Sequence, residues 1–145
     1  MVTCSECGFQ YAEDVAADVR EHAKRHEKYL IACERFGDLY PYEKREKIKS
    51  RTSPIIHAQM WNTGRAYSLQ EKYEAAVEQL RAYFSRSVES SGYDLGHPLF
   101  ERYAAMLLNQ KLWSEGIDPD VAQLLIEKFG QMPGIPEAKT DYRRP

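Results

Sequence analysis

A chain of 145 residues with 43% apolar and 29% charged side chains has the size of one domain, or of a mini-domain built onto a larger one, and the composition of an ordinary soluble globular protein. No apolar run approaches the roughly twenty residues that a membrane span needs, and no charged-then-apolar leader opens the chain, so a cytoplasmic location is expected. The formal net charge of −2 argues against a generic nucleic-acid coating protein, and three cysteines agree with a reducing compartment.

The first element is the most specific. Cys4 and Cys7 form a CxxC pair, fourteen residues intervene, and His22 and His26 follow as HxxxH. Two thiolates two residues apart can share one metal across a tight turn, here Ser5-Glu6, with Gly8 beside the second ligand where a positive φ is cheap. On a helix His22 and His26 are i and i+4, so their rings project toward one point. Tyr11 and Val19 stand where a finger places its two small-core apolar residues. On these residues the segment 2–28 resembles the Cys2His2 zinc-finger family. The usual gap between second Cys and first His is about twelve residues; the two extra here fall in Gln10 to Asp14, and this long-gap form is similar to the finger of the sister-chromatid-cohesion acetyltransferases. No glycine-rich acetyl-CoA loop follows residue 28, so acetyltransferase activity is not implied. What the resemblance implies is one structural Zn²⁺ held by Cys4, Cys7, His22 and His26, with no open position for a catalytic water.

A long helix is predicted from Val15 to Phe36, with Val15, Val19, His22, His26, Tyr29 or Leu30, Cys33 and Phe36 at steps of three and four. Ligands and apolar stripe share a face, so the finger's helix is expected to continue into the body and the finger to act as a cap, not a bead on a linker. Gly37 ends it, and Tyr40-Pro41 restarts a short charged helix through about Arg51. Ser53-Pro54 reads as an N-cap with proline at N1, opening a segment Ile55 to Asn62 that Gly64 closes. Ser68 begins a capping box, SLQE, for a helix whose stripe is Leu69, Tyr73, Val77, Leu80, Phe84 and Val88, with Ser91-Gly92 as exit. His97-Pro98 opens a helix apolar over more than half its circumference, from Leu99 to Trp113, which suits the middle of a bundle. Gly116 stops it, Asp118-Pro119 caps the last helix, and Val121, Leu124, Leu125 and Phe129 are its stripe. The prolines and glycine after Gly130 predict an extended tail. The fold class is therefore mainly α, an N-terminal ββα zinc knuckle whose helix continues into a small helical bundle, with finger 1–36, bundle 37–130 and tail 131–145.

Candidate contact residues are fewer. In a DNA-reading finger, helix positions −1, 3 and 6 meet the bases; here these are Val15, Asp18 and Glu21, poor readers beside phosphate. Lys44, Arg45, Lys47, Lys49 and Arg51 are five cations in eight residues and the best candidates for phosphate contact, with a solvated helix face as the plain alternative. Tyr40, Tyr42, Tyr67, Tyr93 and Tyr142 lie at element ends or in the tail and read as interface candidates, as do Asp18 and Glu21. His57 and His97 are isolated from any nucleophile or acid cluster, and no phosphate loop, nucleophile elbow or paired-carboxylate motif occurs. The expectation is a non-enzymatic, zinc-stabilised adaptor or regulatory protein with a protein partner. The alternatives are a nucleic-acid-binding regulator using Lys44 to Arg51 and an inhibitor of a nucleoprotein enzyme whose acidic finger helix imitates phosphate.

Overall fold

A computed structural model describes residues 1–37, 39–57, 66–110 and 117–130, apart from the side chain of Gln110. The architecture is mainly helical with a small N-terminal sheet. Strands β1 (Val2–Thr3) and β2 (Gln10–Tyr11) pair antiparallel, with Val2 opposite Tyr11 and Thr3 opposite Gln10. Five helices follow among the described residues: α1 (Ala16–Phe36), α2 (Tyr42–Ile56), α3 (Leu69–Ser90), α4 (Phe100–Gln110) and α5 (Pro119–Phe129). The chain divides into two compact units, Met1–Lys47 with Arg81–His97, and Ile48–Leu80 with Pro98–Pro145.

In the first unit the finger shares its surroundings with the start of α2 and the end of α3. Tyr29 and Ala32 of α1, Leu39, Ala82, Phe84, Val88 and Tyr93 are buried, and Phe36 meets the rings of Phe84 and His97 edge-on at 5.7 and 6.0 Å. The helix predicted from Val15 begins one residue later, with Val15 as its N-cap, and it resolves the Tyr29-or-Leu30 alternative in favour of Tyr29, since Leu30 is exposed. His97 is a satisfied turn residue, its Nε2 2.8 Å from Ser87 Oγ. Tyr93 is not a surface tyrosine: it is buried, because its hydroxyl has an internal partner.

In the second unit the local cap chemistry is present as predicted. Glu71 N–H donates to Ser68 Oγ (3.1 Å) while Ser68 N–H donates to Glu71 Oε1 (3.2 Å), and Asp118 Oδ1 accepts from Asp120 N–H at 2.8 Å with Pro119 opening α5. Ser53-Pro54 does not start a helix. Pro54 lies inside the last turn of α2, where its ring forfeits only the bond to Ser50 carbonyl, and buried Gln79 holds the segment by donating to Thr52 Oγ1 (3.2 Å) and Ser53 Oγ (3.1 Å). The buried side of α3 in this unit is Ala75, Ala76, Gln79 and Leu80, and Leu69 is exposed. Helix α4 is less enclosed than its apolar circumference predicts: Phe100, Ala104, Ala105 and Leu108 are buried, whereas Met106, and Leu99 just before the helix, are exposed. Phe100 meets Phe129 of α5 edge-on at 5.6 Å. Asn62, Gly64, Leu112, Trp113, Gly116 and the tail with Tyr142 lie outside the described residues.

Candidate metal centre

The knuckle is built by short-range hydrogen bonds. Cys4 N–H donates to Phe9 carbonyl (2.9 Å) and Gly8 N–H to Cys4 carbonyl (3.0 Å), closing the turn, while Cys7 N–H points at Cys4 Sγ, 3.5 Å away. Gly8 has φ +80°, a backbone angle that favours glycine, and a Cβ there would make the Glu89 carboxylate shift and press on Tyr42. The two extra residues of the long gap are taken up in a turn. Val15 N–H donates to Ala12 carbonyl at 3.2 Å, and Ala12 N–H is received by Asp18 Oδ2 at 3.0 Å from the first turn of α1. Asp18, expected as a contact residue, therefore closes this turn; Glu21 is exposed.

Cys4, Cys7, His22 and His26 converge, each offering one donor atom within 4.8 Å of the other three. Their chemistry fits zinc on two observations. His22 Nε2 is buried with no hydrogen-bond partner, an orphan that a metal would satisfy. Cys4 Sγ and His26 Nδ1 are 3.6 Å apart, which is the separation of about 3.6 Å expected when sulfur and nitrogen sit at tetrahedral zinc distances. Two thiolates would neutralise the ion, and four protein donors fill a tetrahedral shell, as a structural site requires. Without metal, burial first and neighbouring Cys4 in addition push the Cys7 thiol up to about 11, so zinc must displace that proton.

The aromatic wall differs from expectation. Tyr11 stacks on His22 with ring centroids 4.2 Å apart, as the finger pattern predicts. Val19 does not join it and is 42% exposed, because Phe9 stacks over Tyr11 and His22 at 6.3 and 6.2 Å and takes that side of the site. Arg25 lies over both Phe9 and Tyr93. Phe9 was legible as an aromatic beside Gly8; nothing local in the sequence points to Tyr93 or Glu89.

The knuckle is joined to the rest of its unit through backbone groups. Tyr42 N–H donates to Glu6 carbonyl and Glu43 N–H to Ser5 carbonyl, both at 2.9 Å, so the CxxC turn satisfies N–H groups that α2 would otherwise leave unpaired at its start. Tyr93 donates its hydroxyl to Cys7 carbonyl at 2.6 Å. Tyr93 holds a left-handed backbone, φ 58°, directly after Gly92, and its N–H donates to Val88 carbonyl.

The basic run is not one surface. Arg45 is 4% exposed, paired with Glu89 and stacked over Tyr42 at 5.0 Å, so it is an internal ion pair and is not available to phosphate. Lys44 Nζ sits 4.5 Å over the Tyr40 ring, Lys47 pairs with Glu43 at 3.1 Å in an i, i+4 bridge, Lys49 is half-buried, and Arg51 pairs with Glu78. Tyr40 and Tyr42 are half-buried under these cations, and no described helix is long and apolar enough to cross a membrane.

Residues 1–28 match the family described as the zinc-finger of acetyl-transferase ESCO. The chain has a zinc finger of that type, with the ligand set above. Comparison with curated proteins and with solved structures finds no match.

Proposed function

We propose that this protein is a zinc-stabilised, non-enzymatic adaptor or regulatory protein of the cytoplasm that works by binding another protein. The observation that carries the reading is the closed ligand set: four side chains supply four donors, and the turn that bears two of them spends its carbonyls on capping α2, so the metal serves the fold. A protein partner is favoured over nucleic acid because Arg45 is internal, Glu21 stands exposed where a DNA reader needs a donor, and Leu30 and Ile31 of α1 are both exposed. A phosphate backbone does not reward such side chains.

A second reading, a nucleic-acid-binding regulator, rests on Lys44 and Lys47, both exposed on α2. Gel-shift titration at about 150 mM salt, close to physiological ionic strength, separates the two. The adaptor reading expects binding to DNA or RNA no tighter than about 10⁻⁴ to 10⁻⁶ M, the non-specific range. Nanomolar, sequence-dependent binding would replace it with the second reading.

A further inference from the structure

The cations of α1 are held differently from those of α2. On α2 Lys47 is paired with Glu43, Arg45 with Glu89 and Arg51 with Glu78. On α1 Lys24 and Lys28 are exposed, and among the described residues no carboxylate pairs with either. With Arg35 they share a helix face with Ile31, at i−7, i−3 and i+4 from it. At about 3.6 residues per turn these cations fall to one side of Ile31, and Glu27 and Glu34 fall to the other. On the Lys28 side lies an open groove of about 320 Å³, lined by Lys28, Ile31, Gly92, Tyr93, Asp94 and Leu95. Its two aliphatic side chains are uncovered, Ile31 45% and Leu95 46% exposed.

We propose that this groove docks an acidic segment of another protein, one large apolar side chain of which seats between Ile31 and Leu95 while flanking carboxylates meet Lys24 and Lys28. The inference deepens the protein-partner reading and rests on it. Charge and apolar surface together select this occupant. An apolar floor with charge only at its edge takes a central anchor, the kind of contact that carries most binding energy. The edge favours an anion: Asp94, the acid at the rim, has its Oδ1 engaged by Gly96 N–H at 2.9 Å, and the two lysines have no internal partner to give up. A phosphate backbone would meet the same lysines but offers no side chain to the Ile31 and Leu95 floor. The walls are ordered before any partner arrives. Gly92 N–H donates to Glu89 carbonyl, Tyr93 N–H to Val88 carbonyl and His97 N–H to Asp94 carbonyl, which pins the turn that carries Leu95, and buried Tyr29 and Ala32 hold α1 to its core. A preorganised groove loses little freedom on binding.

Selection of displayed random peptides on the zinc-loaded full chain tests this, with Ile31→Asp and Lys28→Glu chains as comparators. Both positions are exposed, so zinc content and the melting transition are expected to match the parent; should Ile31→Asp melt early, Lys28→Glu decides alone. Selected peptides are expected to be net acidic around one large apolar residue. A synthetic peptide of that consensus is expected to bind the parent, to weaken as salt rises, and to lose at least about tenfold in affinity to either variant, as loss of a central anchor or a contact charge does. Failure to select any peptide, a basic consensus, or equal binding to parent and variants overturns the groove and leaves the protein-partner reading to the gel-shift titration. Binding of a duplex DNA probe that Lys28→Glu abolishes and Ile31→Asp does not overturns it in favour of phosphate contact. A parent dimer in sedimentation that Ile31→Asp dissociates overturns it in favour of a second copy of this chain.

Discussion

Tyr93 donates its hydroxyl to the carbonyl of Cys7 at 2.6 Å, joining the turn after α3 to the second cysteine of the metal knuckle across 86 positions of chain. The bond is buried, and the tyrosine reaches it from a left-handed backbone that a non-glycine residue adopts at a cost of about 1–2 kcal/mol. Removing the hydroxyl leaves a buried carbonyl without its donor. Tyr93→Phe is therefore expected to lower the unfolding free energy of the zinc-loaded chain by about 1–3 kcal/mol, with zinc still bound. Denaturant titration and metal analysis of the same sample check this, and an unchanged midpoint would show that the bond carries no stability.

The ligand set predicts zinc content directly. Protein purified without added metal is expected to hold close to one equivalent, because four donors within 4.8 Å make one closed site. Cys7→Ser and His22→Ala are each expected to lose it in elemental analysis. A content near zero in the parent, with folding retained in chelator, would refute a structural zinc.

Asp118 gives a prediction in the second unit. Partial burial acts against its ionisation, yet the Asp120 N–H and the Lys72 ammonium, 3.1 Å away, together hold its carboxyl below the usual range. Its folded pKa is thus depressed, so its contribution to stability is present above the unfolded value of about 3.9 and lost as pH falls through the folded value. Asp118→Ala is expected to cost about 0.5–2 kcal/mol at neutral pH through the lost cap and ion pair, and Asp118→Asn less, since the amide oxygen still caps. The difference between parent and Asp118→Ala should begin to shrink below about pH 4, where the unfolded chain takes up the proton first, and reach its minimum only below the depressed folded value. Equal stability of the two at pH 7 would remove the cap from the account.

What was legible in the sequence was chemistry between near neighbours. Ser68 with Glu71, Asp118 with Pro119, and Cys4-Cys7 with His22-His26 are each decided within one turn or one helix face, and each stands as read. The misread positions depend on partners far along the chain. Pro54 stays helical where Gln79, 26 residues away from Ser53, holds that segment by hydrogen bonds. Arg45 looks like one cation in a basic run until Glu89, 44 residues on, takes it inside. Val19 has the phase of a core residue yet is exposed, while Phe9, just before β2, stacks on His22. Alternating polarity cannot show which of two apolar residues arrives first.

The central claim is that zinc orders the knuckle and the knuckle in turn caps α2. Amide hydrogen exchange at Tyr42 and Glu43 tests it most directly, because these two N–H groups end on the carbonyls of Glu6 and Ser5 in the CxxC turn. With zinc bound both amides are expected to be protected, and chelation is expected to abolish that protection together with that of Gly8. Equal protection of Tyr42 and Glu43 with and without zinc would contradict the claim.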